Sequence, residues 1–123
     1  MQAVVLPHAS GAVGPYSQGV LHNGVLYISG QLGMDYVSGN MPENFAGQTE
    51  MVFKKIKDIL DAANMAFSNV LKCTVYLTDL DDYNEMNEIY GRYFRTPYPA
   101  RETIQVAHLP KGAKIEISVI ASK

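Results

Sequence analysis

Two charged side chains stand where the surrounding pattern makes a charge informative. Arg101 sits at the mouth of an apolar, β-branched stretch, Thr103-Ile104-Gln105-Val106-Ala107, just after Pro97 and Pro99, which hold the approach extended. Glu116 falls inside Lys114-Ile115-Glu116-Ile117-Ser118-Val119, where strict alternation sends Ile115, Ile117 and Val119 to one face and Glu116 to the other. By default the arginine is a solvated surface charge and the glutamate a guard against edge pairing. If the face bearing Glu116 is covered, its carboxylate needs a partner. Arg101 is then the obvious partner, or both charges face one ligand.

Other chemistries find little support. His8, His22 and His108 lie far apart, with no i, i+4 pair and no cysteine partner, so a metal site is not expected. Gly11-Ala12-Val13-Gly14-Pro15 has no following Lys-Ser/Thr and is not a phosphate loop, and neither a Gly-x-Ser-x-Gly elbow nor a Gly-x-Gly-x-x-Gly fingerprint is present. Cys73, the single cysteine, shares a strand face with Val75 and Leu77 and reads as a core residue. Asn87 within a helical stretch reads on its own as a mild helix defect. Net charge is −2 and the pI about 5.8, with no basic run beyond Lys54-Lys55. That argues against a nucleic-acid surface, which wants a basic stripe.

The elements that must position these residues read as follows. Val4 to Gly14 is a short strand candidate running into a glycine-rich loop. Tyr16 to His22 and Val25 to Ser29 flank Asn23-Gly24, a strong hairpin signal because both turn residues need positive φ. A helix from about Asn44 to Asn64 carries Phe45, Val52, Ile56, Ile59, Leu60 and Ala63 at helical spacing. Lys72 to Thr78 alternates as a strand. A second helix starts near Asp81-Asp82, where Asp82 and Glu85 resemble a capping box, and carries Tyr83, Met86, Tyr90 and Phe94. Thr103 to Ala107 and Lys114 to Ala121 are the last strands.

At 123 residues this is one α+β domain, residues 1–123, with about six strands and two helices. Two helices cover one face of such a sheet and leave the other open. Thr74, Tyr76, Thr103, Gln105, Glu116, Ser118 and Ile120 are expected on that open face. Charged residues make up only 18% of the chain, and this set is nearly neutral, so other copies of the chain are expected to cover it in a closed ring. The N-terminal residues lack a signal-peptide pattern, and no apolar run nears the roughly 18 residues that span a bilayer. A soluble protein of a reducing compartment is expected, cytoplasmic by default, with organelle import left open.

Four segments, in order, resemble one family. Gly14-Pro15-Tyr16-Ser17-Gln18-Gly19 is similar to its first motif and Ile28-Ser29-Gly30-Gln31 to its second. Val75-Tyr76-Leu77-Thr78-Asp79-Leu80 through Asn87 and Tyr90 resembles its strand-to-helix passage. Pro99-Ala100-Arg101 through Leu109-Pro110-Lys111, then Ile115-Glu116, resembles its last motif. The family is the Rid proteins, reactive intermediate deaminases, also called YjgF-like or L-PSP. The resemblance implies a fold like a bacterial-type chorismate mutase subunit, with a single six-stranded mixed sheet and two helices on one face. It also implies a homotrimer with sites between subunits, and no cofactor or metal.

By the same resemblance Arg101 would hold the substrate carboxylate, and Glu116 would orient or deprotonate the attacking water. Tyr16, Ser29, Gly30, Asn87 and Thr103 would line the pocket, Tyr16 coming from a neighbouring subunit. Thr103 stands where many deaminating members carry cysteine. The implied reaction is hydrolysis of 2-iminobutanoate and 2-iminopropanoate to 2-oxo acids and ammonia, with small 2-imino and 2-oxo carboxylic acids as partners. A ribonuclease or translation inhibitor, and a non-catalytic trimeric binder of small carboxylates, are the alternative readings.

Overall fold

The computed structural model describes residues 1–6 and 14–123. The chain builds β1 (Gln2–Val4), β2 (Gly19–His22), β3 (Val25–Leu32), α1 (Phe45–Ala62), β4 (Val70–Leu77), α2 (Tyr83–Tyr90), β5 (Ala100–Gln105) and β6 (Ile115–Ser122). One six-stranded sheet runs β1-β2-β3-β6-β4-β5. It is mixed: β4 and β5 pair in parallel, with α2 in the crossover between them, and every other neighbouring pair is antiparallel. β1 precedes the expected Val4–Gly14 strand, most of which, with His8, lies outside the described residues.

Local chemistry accounts for most of these boundaries. Asn23 and Gly24 take φ of 51° and 78°, the two positive values a tight hairpin requires, and His22 pairs with Val25 across the turn. The Asn44 side chain caps α1 by accepting from the Gly47 amide at 2.6 Å, satisfying one of the free donors of the first turn. Asn64, just past the helix, has φ of 56°. α2 departs from expectation: Asp82 makes no side-chain cap. Instead, Asp79 accepts from the Asp81 amide at 2.9 Å and starts a 3-10 turn that feeds the helix. α2 also stops at Tyr90, so Phe94 packs from beyond it.

The core lies between the two helices and one sheet face. Phe53, Ile56, Ile59 and Leu60 of α1 are buried with Met86 of α2 and with Leu26, Val75, Leu77, Ile115 and Ile117 of the sheet. Phe53 stacks on Tyr93 with centroids 4.3 Å apart and meets Tyr90, Phe94 and Phe67 edge-on. Among the described residues no helix or strand covers the opposite sheet face. It presents Tyr27, Tyr76, Ile104, Glu116, Ser118 and Ile120, with Tyr27 and Ile104 nearly half exposed.

Register corrects two positions on that face. β5 starts at Ala100 rather than Thr103, and Arg101 pairs with Cys73 and Thr103 with Val75. Directly paired residues share a side, so Arg101, Thr103 and Gln105 lie on the helix side of the sheet, whereas Glu102 and Ile104 take the open side. The hydrophobic pattern of β5 is thereby reversed, its isoleucine facing outward. At this sheet edge α2 receives the polar set, so burial of the isoleucine does not dictate the register.

A second irregularity shapes the ground around Glu116. Pairing of β3 with β6 slips between Ile28 and Gln31, leaving Ser29 and Gly30 as a bulge. After the bulge Gln31 and Gly33 turn to the helix side, and Gly33 lies directly against α1: a Cβ there would come within 2.5 Å of the Gln48 carbonyl oxygen. Backbone on backbone cannot yield cheaply. Gly33→Ala is expected to lower unfolding free energy by about 1–3 kcal/mol, read as a fall in urea midpoint; an unchanged midpoint would contradict the close packing.

Candidate functional site

The residues singled out by sequence fall into two groups on opposite sides of the sheet. The first lines a cavity of about 750 Å³ beside the β3 bulge, reached by Tyr16, Ser29, Gly30 and Glu116. Ser29 is fixed at both ends: its hydroxyl donates to the Ser17 carbonyl at 2.6 Å and its amide to the Gln18 carbonyl at 3.0 Å. Gly30 lies over the Glu116 carboxyl, and any Cβ there would overlap Glu116 Oε2. Glycine at this position is therefore a matter of close approach, and it leaves the carboxylate room in the cavity.

Glu116 itself is half-buried and has no hydrogen-bond or ion-pair partner among the described residues. Burial alone holds its pKa above the ordinary carboxylate value. Behind it, Gln31 anchors the cavity wall, donating to the Ser29 carbonyl at 2.9 Å and to Gln18 Oε1 at 3.1 Å while accepting from the Tyr36 hydroxyl at 2.9 Å. Sequence reasoning passed over Gln31 as a site residue. A glutamine directly after a Ser-Gly bulge, at a core register, is the signal that could have found it.

The second group gathers around Arg101 on the helix side. Its Nη2 donates to the Tyr83 hydroxyl at 3.1 Å, its Nη1 lies 3.9 Å from the Met86 sulfur, and its guanidinium carbon sits 4.8 Å from the Tyr90 ring centre. The spacing 83, 86, 87, 90 puts Tyr83, Met86, Asn87 and Tyr90 on one face of α2, so half-buried Asn87 joins this group through the helix rather than through a contact with Arg101. A guanidinium stacked on aromatic faces keeps its planar fork ordered. No carboxylate pairs with Arg101 among the described residues.

Two hydroxyls here, Thr103 Oγ1 and Tyr90 Oη, are buried without a hydrogen-bond partner of normal geometry among the described residues. Burial pushes the neighbouring Cys73 thiol up to about 11, which keeps it protonated and agrees with its reading as core. Glu102, on the far side of β5, is tied up with Lys72 at 2.6 Å. Tyr83 and Tyr90 were read from sequence only as helix-packing positions; the i, i+7 pair facing a strand arginine was the missed signal.

Arg101 and Glu116 do not meet within the chain. Two strand spacings and three residues of rise separate their backbones by roughly 14 Å, with the side chains on opposite faces. No group of three or more His, Cys, Asp or Glu that could hold a metal occurs among the described residues, where His22 and His108 are both exposed.

The raised pKa of Glu116 has a stability consequence whose sign is fixed. In the interval between its unfolded and folded pKa the folded chain binds more protons, so this group's contribution falls as pH rises through that interval. Glu116→Gln removes the cost of the buried charge. The variant is expected to gain in urea midpoint relative to wild type as pH rises through that interval; parallel pH profiles would refute the unpartnered setting.

Comparison with known proteins adds the following. The family model described as Endoribonuclease L-PSP matches residues 7–123. A human 2-iminobutanoate/2-iminopropanoate deaminase is 49% identical over 114 residues, which is 92% of this chain and 83% of that protein. The crystal structure of RidA from the Antarctic bacterium Psychrobacter superposes with a TM-score of 0.95 at 43% identity, covering all of both chains. That of E. coli TdcF with bound serine gives 0.94 at 35% identity, over 100% of this chain and 99% of the other.

Proposed function

The chain belongs to the Rid family of the YjgF-like, endoribonuclease L-PSP group, and from that premise we propose that it is an imine deaminase acting on 2-iminobutanoate and 2-iminopropanoate. One observation carries the reading: Arg101 and Glu116 are opposite charges, each without an ion-pair partner among the described residues, Arg101 set against Tyr83 and Tyr90 and Glu116 beneath Gly30. Unpaired charges away from bulk water cost free energy unless a ligand or a partner completes them. A homotrimer in which one copy's α2–β5 edge meets the next copy's β3 bulge completes both at once. It also covers Tyr27 and Ile104, the outward apolar residues of the open face.

In such a cleft the division of labour follows from residue chemistry. Arg101 takes the substrate carboxylate in a bidentate pair, which fixes the adjacent C=N group in one orientation. Thr103 Oγ1, without a hydrogen-bond partner among the described residues, offers a further hydrogen bond beside it. Tyr16, Ser29 and Gly30 shape the opposite wall, with Asn87 behind Arg101. Glu116, its basicity raised by burial, accepts a proton from water as the water oxygen adds to the imine carbon. The proton passes to nitrogen, the C–N bond of the resulting carbinolamine breaks, and ammonia and a 2-oxo acid leave. No step asks for more than positioning and proton transfer.

A ribonuclease reading, present in the family's description, fits this chain less well. The net charge is −2, and the open face carries Lys72 already paired with Glu102.

The test is the release of 2-oxobutanoate while a threonine dehydratase turns over threonine. Wild-type protein is expected to speed it. Arg101→Ala loses two charge-assisted hydrogen bonds of about 1.5 kcal/mol or more each, hence at least about 100-fold in kcat/KM. Tyr83→Phe removes one bond to the guanidinium and is expected to raise KM by about tenfold at nearly constant kcat. Equal release with and without wild-type protein would overturn the reading.

A further inference from the structure

The cavity that holds Glu116 has a second polar wall which the deaminase chemistry leaves unused. Lys55, from the middle of α1, is 6% exposed and lines that cavity together with Tyr36 and Gln31. Its Nζ donates to the Leu32 carbonyl at 2.9 Å and lies 4.5 Å from the centre of the Tyr36 ring. Among the described residues no carboxylate comes within ion-pair distance of it, although Lys54 and Lys57, the exposed lysines flanking it on the same helix, each hold an aspartate. Amphipathic spacing does not require a lysine here: Val52, Phe53, Ile56 and Ile59 beside it on α1 are all apolar and buried.

Burial without a counter-ion disfavours the ammonium form. The Lys55 amine is brought down to about 8, with desolvation the leading cause and the Asp35 charge opposing it. Asp35, Lys111 and Glu116 are the other charged groups lining the cavity. A lysine amine on a cavity wall, partly deprotonated near pH 8 and oriented by one hydrogen bond and an aromatic face, is the arrangement that makes lysine a nucleophile toward carbonyl carbon.

We propose that Lys55 is a covalent capture site for 2-oxo acids, forming a reversible Schiff base inside the cavity that also holds Glu116. The amine lone pair adds to the C2 carbonyl carbon, and the carbinolamine that results loses its hydroxyl with the amine proton as water. A C=N bond to Nζ is left, and hydrolysis reverses the step with no oxidant or reductant. The choice of a 2-oxo acid rests on the deaminase reading, because that is the product the reaction releases, whereas the reactivity of the amine does not.

The experiment is reductive trapping. The full-length protein is incubated with pyruvate and cyanoborohydride at about pH 8, digested, and its lysine peptides are mapped by mass. One adduct is expected, concentrated on the peptide containing Lys55, with Lys54 and Lys57 labelled far less despite their greater exposure. Lys55→Met is expected to lose that adduct. Labelling that follows exposure and spares Lys55 in the wild-type protein would overturn the proposal, and this holds whether or not the variant folds. Trapping at Lys55 in a protein that fails to speed imine hydrolysis would leave the capture site standing and remove only the deaminase reading.

Discussion

The parallel register of β5 on β4 is the constraint from which the site follows. Pairing Arg101 with Cys73 turns the guanidinium to the helix side, where Tyr83, Met86 and Tyr90 of the crossover helix receive it. The same register turns Ile104 outward. A shift by one residue would exchange the two sets and bury Ile104 at the cost of the arginine's aromatic cradle. β6 lies between the two halves of the sheet and carries Glu116 on the other side, under the bulge that Gly30 makes possible. One sheet therefore holds a cation at its edge and an anion near its centre, facing opposite ways.

That separation has an energetic meaning. A surface pair such as Lys54 with Asp58 is exposed to solvent and contributes little. Arg101 and Glu116 are different, because each is partly withdrawn from water and neither has an ion-pair partner among the described residues. Their neighbours orient or adjoin them rather than neutralise them: ring faces, a sulfur and a hydroxyl for one, a glycine backbone for the other. Uncompensated charges of this kind are what a ligand charge can pair with. Lys55 extends the theme to the far wall of the cavity, where the outcome of missing compensation is a proton held less tightly than on a free lysine.

The hairpin, both helices and the alternation of β4 and β6 were legible because each rests on local chemistry: Asn23-Gly24, the Asn44 cap, the apolar stripe of α1, the run Cys73, Val75, Leu77. The side on which Arg101 and Thr103 lie was not legible. β5 carries no clean apolar face, and its register is set by β4 and α2, which are distant in sequence. The Ile28–Gln31 slip escaped notice for a related reason, since a bulge changes pairing without changing composition. Residues whose chemistry is their type, Arg101 and Glu116, were identified early. Those whose importance is their surroundings, Gln31, Tyr83 and Lys55, needed the fold.

The central claim is that one copy's Arg101 and another copy's Glu116 make a single site. Mixing two inactive chains tests it most directly. Arg101→Ala and Glu116→Gln, each without activity alone, are unfolded together in equal amounts, refolded and assayed for imine hydrolysis. If the two charges come from different copies, random assortment into closed rings rebuilds an intact site at about one interface in four, and activity returns to roughly a quarter of wild type. If both charges act within one chain, no assortment can restore a site, and a mixture as inactive as its components would contradict the account.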